Sequence, residues 1–134
     1  MPIIPRGWLR RLFGNRGEHA AARFLKRKGY KILARQMRNR QGEIDLIALD
    51  QGVFVFVEVK TRSSHAKGHP AEAVDYTKQK QITQAALAWM KRRKVLHRSG
   101  RFDVVAVTWP SHSEPVIDHY KSAFPAVGRG QFYS

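Results

Sequence analysis

The alternation of apolar and polar residues predicts a β-hairpin in the middle of the chain. Two runs, at 44–49 and 53–59, are dense in apolar residues, and the second is rich in valine and phenylalanine. Gln51-Gly52 lies between them and is typical of a tight turn. The pattern therefore predicts two antiparallel strands joined by a short connection.

The register of this hairpin decides which charged side chains meet. If Gly52 occupies the positive-φ position of a two-residue turn, Asp50 pairs with Val53. Followed backwards, that register places Asp45 opposite Glu58 on one face of the sheet, with Cβ atoms roughly 5 Å apart. A shift of one residue would put the two acids on opposite faces.

Three charged residues interrupt these apolar strands: Asp45, Glu58 and Lys60. Two adjacent carboxylates repel each other, and a hard cation such as Mg²⁺, which one or two carboxylates can hold, relieves the repulsion. Lys60 would then orient a nucleophilic water or stabilise charge on a phosphate. The constellation points to phosphodiester hydrolysis. The structural alternative is a buried ion pair between Lys60 and one of the acids.

Further elements extend the prediction to the whole chain. A helix is expected at 15–28, a strand at 30–38, a helical region from residue 70 or 71 to about 94, a strand at 101–108 and an edge strand at 116–120. The order αβββαβ gives an α/β domain with a mixed central sheet flanked by helices, whose third and fourth strands run parallel. We expect a leader at 1–13, one domain at 14–124 and a tail at 125–134.

Two helical residues have both a structural and a functional interpretation. Glu18 stands three residues after Asn15, the spacing of a capping box, but it also begins the apolar stripe of its helix. Lys78 lies in line with the apolar stripe of the second helix, where it either reaches a substrate phosphate or extends to the surface. Both alternatives remain open for each residue.

Composition favours a polyanionic partner. Lys and Arg number 25 against 10 Asp and Glu, which gives a net charge of +15, so nucleic acid is the expected ligand. The chain has no cysteine, which excludes disulfides and fits a reducing cytoplasm. No apolar run approaches the roughly 20 residues of a membrane-spanning helix, and no membrane role is expected.

The sequence resembles a known family in several separate segments. It is similar to the YraN-type family of small bacterial predicted endonucleases, which belongs to the PD-(D/E)xK superfamily and is related in pattern to archaeal Holliday junction resolvases. Ile44 stands where the superfamily signature has proline. The resemblance covers roughly residues 14–124, and the matching segments are Gly17-Glu18, 42–48, 56–62, Lys78 and 101–105.

The resemblance implies a restriction-endonuclease-like core and a Mg²⁺ or Mn²⁺ cofactor. Its implied metal ligands are Asp45, Glu58 and the Val59 carbonyl, with Glu18 in support, and Lys60 joins Asp45, Glu58 and Glu18 as a catalytic residue. DNA contacts are expected from Arg62, Lys67, Lys78 and Gln79. The alternative function is a non-catalytic basic module that binds DNA or RNA. A homodimer would suit a branched substrate, which needs two cuts, but no dimer interface can be identified from the sequence.

Overall fold

The computed structural model describes residues 6–62, 74–110 and 114–127. This part of the chain forms an α/β fold in which two helices pack on a five-stranded mixed sheet. The elements in chain order are α1 (Arg6–Arg27), β1 (Lys31–Asn39), β2 (Gly42–Asp50), β3 (Val53–Arg62), α2 (Tyr76–Arg92), β4 (Gly100–Thr108) and β5 (Val116–Phe124).

The strands lie side by side in the order β1-β2-β3-β4-β5. Strand β3 runs parallel to β4, as the helical connection between them predicts, and the other neighbouring pairs are antiparallel. Strand β5, expected over 116–120 and absent from the order αβββαβ, extends to Phe124 and adds a fifth strand. The sheet therefore has β1 and β5 as its edges.

The turn between β2 and β3 fixes the register of the hairpin. Gln51 and Gly52 have φ angles of 48° and 84°, both in the left-handed region that a two-residue turn of type I′ requires. Asp50 pairs with Val53, and the predicted register continues as far as Leu46 opposite Val57. The predicted register is confirmed over this stretch.

The core has two layers, one on each face of the sheet. Side chains alternate along a strand, so successive residues of β3 enter different layers. The α1-side cluster includes Leu25, Val55, Val57 and Val105, and the α2-side cluster includes Phe54, Phe56, Trp89 and Phe102. Both faces of β3 are therefore covered, as its nearly continuous apolar sequence predicts.

The first helix begins earlier than predicted. Helix α1 starts at Arg6, so Asn15 lies inside the helix and is not its N-cap. Leucine and arginine, which recur between residues 6 and 12, favour helix, and a glycine such as Gly14 in a helix interior costs only about 1 kcal/mol relative to alanine. The capping-box interpretation of Glu18 is consequently wrong.

The second helix begins later than predicted. Asp75 is the N-cap of α2, and its side chain accepts the backbone N–H of Lys78 over 2.8 Å. Residues 70–73, where the predicted helical region begins, lie outside the described part of the chain. Neither α1 nor α2, the helices of the described residues, is long and apolar enough to cross a membrane.

An ion-pair network fastens β4 to β5 in the α1-side layer. Asp103 is fully buried and accepts hydrogen bonds from Arg101, from Nε2 of His119 at 2.8 Å and from the backbone N–H of Ser122 at 3.0 Å. Burial alone would raise the pKa of Asp103, but these hydrogen bonds lower it below its ordinary value. Arg101 is thus one of three partners that hold the buried carboxylate of Asp103.

Candidate functional site

Asp45 lies where strand β2 departs from regular alternation. Ile44 and Ile47 both pack in the α2-side cluster, whereas Leu46 packs in the α1-side cluster. Because regular alternation would put Ile44 and Leu46 in the same layer, the irregularity falls at Asp45. The paired ladder with β3 ends at Leu46, and Oδ2 of Asp45 accepts the backbone N–H of Val59 over 2.8 Å.

The structure brings Asp45 and Glu58 together. Their side chains are hydrogen-bonded to each other, and Glu58 is only 8% exposed. Burial, reinforced by the charge of Asp45, raises the pKa of Glu58 to about 7. Burial also raises the pKa of Asp45, although the Val59 N–H opposes this effect. Near neutral pH the pair thus favours holding a proton or an added cation over carrying two bare negative charges.

Two lysines approach Glu58 from different elements. Nζ of Lys60, on β3, lies 3.7 Å from Oε1 of Glu58, and Nζ of Lys78, on α2, lies 3.8 Å from the same atom. Both side chains are partly exposed, so water screens part of their charge. The lysines lower the pKa of Glu58 but do not offset its burial.

Glu18 joins the site from the α1 side of the sheet. Burial, followed by the charge of Asp45, raises the pKa of Glu18 to about 7, and its side chain is hydrogen-bonded to those of Asp45 and Gln36. Because β2 is irregular at Asp45, this side chain contacts Glu18 on the α1 side of the sheet as well as Glu58. Three carboxyl groups, from α1, β2 and β3, are therefore linked through Asp45.

A glycine lets α1 lie close to β3 beside the site. A Cβ atom on Gly17 would lie 2.2 Å from Oγ1 of Thr61, far inside van der Waals contact. A larger residue would therefore require the Thr61 side chain or the helix to shift. This close approach sets the position of Glu18, the next residue in the chain.

Gln36 is a site residue that the sequence analysis missed. It lies on β1 between Arg35, which pairs with Leu46, and Met37, which pairs with Ile44, and therefore beside Asp45. Its φ angle is 49°, a left-handed conformation that is rare for a non-glycine residue within a strand. The exposure of side chains along β1 alternates except at residues 35 and 36, which are both exposed, but the sequence gives no clear signal of this, because residues 32–34 are apolar in succession.

The other predicted nucleic-acid contacts have different surroundings. Nε of Arg62 donates to Oγ1 of Thr108 over 3.1 Å, and its guanidinium lies 4.0 Å from Oδ2 of Asp118. Nε2 of Gln79 donates to the carbonyl of Val74 over 2.8 Å. Lys67 lies outside the described residues. Of the four predicted contacts, the structure brings Lys78 to the carboxylates.

The donor atoms of the site suit a hard cation. Asp45 and Glu58 provide carboxylate oxygens, and Mg²⁺ is commonly bound through one or two carboxylates together with water and phosphate oxygens. Among the described residues, no group of three or more His, Cys, Asp or Glu side chains is arranged to hold a metal ion. The donor set therefore suits a cation held by two carboxylates, those of Asp45 and Glu58. Glu18 contributes indirectly, through its hydrogen bond to Asp45.

Comparison with known proteins assigns the chain to a family. The model of the uncharacterised protein family UPF0102 matches residues 17–107, a stretch that contains every carboxylate and lysine of the site. The chain belongs to the UPF0102 family. This result confirms the predicted YraN-type family, since UPF0102 is that family, whereas the names of its members do not state an activity.

Several UPF0102 proteins align over nearly the whole chain. One from Rhodopirellula baltica is 54% identical over 125 residues, covering 90% of this chain and 74% of its own length. One from Trichlorobacter lovleyi is 46% identical over 125 residues, with coverages of 92% and 97%. One from Geobacter sulfurreducens is 44% identical over 124 residues, with the same coverages.

Proposed function

We propose that this UPF0102 protein is an endonuclease that hydrolyses phosphodiester bonds in DNA with Mg²⁺ or Mn²⁺. The observation that carries the proposal is the hydrogen-bonded pair of half-buried Asp45 and buried Glu58, the second of which lies within 4 Å of two lysines. A structural ion pair needs one acid, whereas a second buried acid destabilises the fold unless it binds something. The spacing of Asp45 from Glu58-Val59-Lys60 also resembles the PD-(D/E)xK signature, which supports a restriction-endonuclease-like core.

Each residue of the site has a defined role in this proposal. Asp45 and Glu58, with the Val59 carbonyl, would hold the cation. When bound, the cation supplies Lewis-acid polarisation of a phosphoryl oxygen. Lys60 orients the attacking water and stabilises negative charge on the phosphate, and Lys78 binds a non-bridging oxygen of the same phosphate.

Hydrolysis also requires proton transfers at a pH near neutrality. The oxygen of water forms a bond to phosphorus while the bond from phosphorus to one sugar oxygen breaks. Glu18, whose pKa is raised to about 7, is suited to accept the proton that the water loses. The leaving sugar oxygen takes a proton from solvent. These assignments give Glu18 a proton-transfer role in addition to its support of Asp45.

DNA is the proposed substrate because of the charge of the chain. A net charge of +15 attracts a polyanion, and Arg62, Lys67 and Gln79 are proposed to add to the interface with Lys78. Resemblance to junction resolvases favours branched DNA. Two cuts in a branched substrate require two sites, so a homodimer is proposed for that case. The lack of cysteine fits a cytoplasmic enzyme.

The same charge also supports a second candidate function. A basic protein of this fold can bind DNA or RNA without cutting it, and its affinity would fall with salt as that of an enzyme does. Binding alone therefore does not distinguish the two candidates, and cleavage does.

The test is a cleavage assay with Mg²⁺ or Mn²⁺ on labelled branched, flapped, single-stranded and duplex DNA. We expect the wild type to cut at least one substrate, and Asp45→Asn and Lys60→Met to cut at least about 100-fold more slowly while still binding it. Glu43→Gln is the matched control, because Glu43 lies on the same strand but pairs with Arg38. Binding of all substrates without cleavage of any would favour the non-catalytic candidate.

A further inference from the structure

A groove rich in arginine lies between strand β1 and the C-terminal half of α2. It encloses about 640 Å³, and its lining includes residues 37–41 on one side and residues 88, 89, 92 and 93 on the other. Because β1 is an edge strand, no further strand of the described sheet covers this side. The groove is separate from the carboxylate site, to which α2 contributes Lys78.

The lining of the groove carries positive charge from both sides. Four arginines, Arg38, Arg40, Arg92 and Arg93, belong to the lining, and none of the lining residues is acidic. Arg38 is paired with Glu43 on the neighbouring strand. Arg40 and Arg92 are exposed and come from opposite walls. Guanidinium groups bind phosphate oxygens in a bidentate manner, so this lining is complementary to a phosphodiester backbone.

An aromatic residue forms the inner part of the same lining. Trp89 is 5% exposed, packs edge-to-face against Phe54 and Phe56, and carries the guanidinium of Arg93 at 4.2 Å from its ring centroid. Its Nε1–H is buried and has no acceptor among the described residues. A rigid aromatic base therefore fixes Arg93, and the indole retains an unused hydrogen-bond donor.

We infer that this groove binds the backbone of a DNA arm that extends beyond the cleaved phosphate. The inference rests on the proposed function for its assignment of the substrate, and on charge complementarity for the groove itself. Lys78 and Arg92 lie 14 positions apart on α2, which corresponds to about 21 Å along the helix. DNA spans that distance in about six base pairs. Only DNA that extends at least about six base pairs from the cleaved phosphate would therefore reach the groove.

The test compares two double variants that remove the same charge. Arg40→Gln with Arg92→Gln removes one arginine from each wall of the groove. Arg23→Gln with Arg27→Gln removes two exposed arginines from α1, on the opposite face of the sheet. Binding of fluorescent hairpin duplexes of about 4 base pairs, too short to span about 21 Å, and of about 24 base pairs is measured with EDTA over a range of salt concentrations. Thermal unfolding establishes that both variants are folded.

We expect the groove variant to bind the longer duplex about tenfold or more weakly than the α1 variant does, and to lose about two from the slope of log affinity against log salt. For the shorter duplex, the affinities of the two variants should differ much less. Equal losses in both variants, or a loss that is independent of length, would overturn the inference.

The readout separates this inference from the proposed function, because binding in EDTA does not require catalysis. If the wild type cuts DNA but the two double variants bind alike, the groove assignment fails and the nuclease stands. If the wild type cuts nothing but the groove variant alone loses binding to the longer duplex, the nuclease fails and the groove stands as a DNA-binding site.

Discussion

Oδ2 of Asp45 accepts the backbone N–H of Val59 over 2.8 Å, and this hydrogen bond ties β2 to the segment that carries both Glu58 and Lys60. It anchors one carboxylate in a fixed position next to the other. Because Asp45 already receives this donor, the proton that the pair retains is held more readily by Glu58. The site is thus ordered but electrostatically strained without a cation.

The strain predicts an unusual dependence of stability on pH in the metal-free protein. Glu58 and Glu18 have folded-state pKa values of about 7, raised from 4.5. The folded state therefore binds these protons more tightly than the unfolded state, so the contribution of these two groups to the free energy of unfolding is fully present below pH 4.5 and is lost as pH rises to about 7. We expect a fall of about a few kcal/mol in urea unfolding in EDTA, most of it from buried Glu58, because water screens the half-buried Glu18.

Substitution identifies the source of this pH dependence. Glu58→Gln should flatten much of the decline between pH 4.5 and 7, whereas Glu43→Gln should leave it unchanged. Asp103, whose pKa is lowered, affects stability only at more acidic pH. Adding Mn²⁺ above pH 7 should raise the melting temperature of the wild type and not that of Asp45→Asn. Equal slopes in the wild type and Glu58→Gln would contradict the assignment.

A second prediction separates Lys78 from its neighbour on α2. Nζ of Lys78 lies 3.8 Å from Glu58, whereas Lys80 is exposed on the same helix. Lys78→Gln should slow cleavage about tenfold or more, because it removes a phosphate-binding charge at the reacting centre. It should also raise the pKa of Glu58 further, which carboxyl ¹³C NMR can measure. Lys80→Gln should change neither quantity, and equal effects of the two substitutions would argue against a site role for Lys78.

Local turn chemistry explains why the central hairpin was predictable. Gln51-Gly52 fixes a two-residue turn, and its register runs as far as Leu46 opposite Val57, the residues next to Asp45 and Glu58. The register of β2 against β3 could therefore be predicted from the sequence. The early start of α1 did not, because the apolar and basic residues before Asn15 suit either a helix or an irregular leader.

Features that depend on distant segments were not predictable in the same way. The left-handed backbone conformation of Gln36 is unfavourable locally and is maintained by the surrounding sheet. The local sequence therefore does not predict it. The lining of the arginine groove brings together residues 37–41 and residues 88, 89, 92 and 93, which are far apart in sequence. Considered alone, the arginines of either segment resemble ordinary solvent-exposed charged residues.

A third prediction concerns Gln36. Its side chain is hydrogen-bonded to Glu18 and lowers the pKa of that carboxyl against the effect of burial. Gln36→Met keeps a similar size and an unbranched Cβ, so the left-handed backbone should persist with little change in stability. The pKa of Glu18 should rise above about 7, and the pH at which cleavage is half-maximal should rise with it. An unchanged pH profile, with cleavage intact, would show that Gln36 does not act through Glu18.

The contact between Gly17 and Thr61 sets two opposing effects against each other. In an unobstructed helix interior, Gly→Ala stabilises by about 1 kcal/mol. Here the new methyl group would lie 2.2 Å from Oγ1 of Thr61, and overpacking of this kind typically costs about 1–3 kcal/mol. We therefore expect Gly17→Ala to destabilise the protein in urea unfolding, and to slow cleavage because it displaces Glu18.

A double-mutant cycle tests this explanation. Thr61→Ala removes the obstructing oxygen, so adding Gly17→Ala in that background should stabilise the protein by about 1 kcal/mol and not destabilise it. The reversal of sign distinguishes a steric contact from a general loss of helix packing. If Gly17→Ala stabilises the protein that retains Thr61, α1 can move away from β3 without penalty. The position of Glu18 beside Asp45 would then have to be fixed by its own hydrogen bonds, not by the glycine.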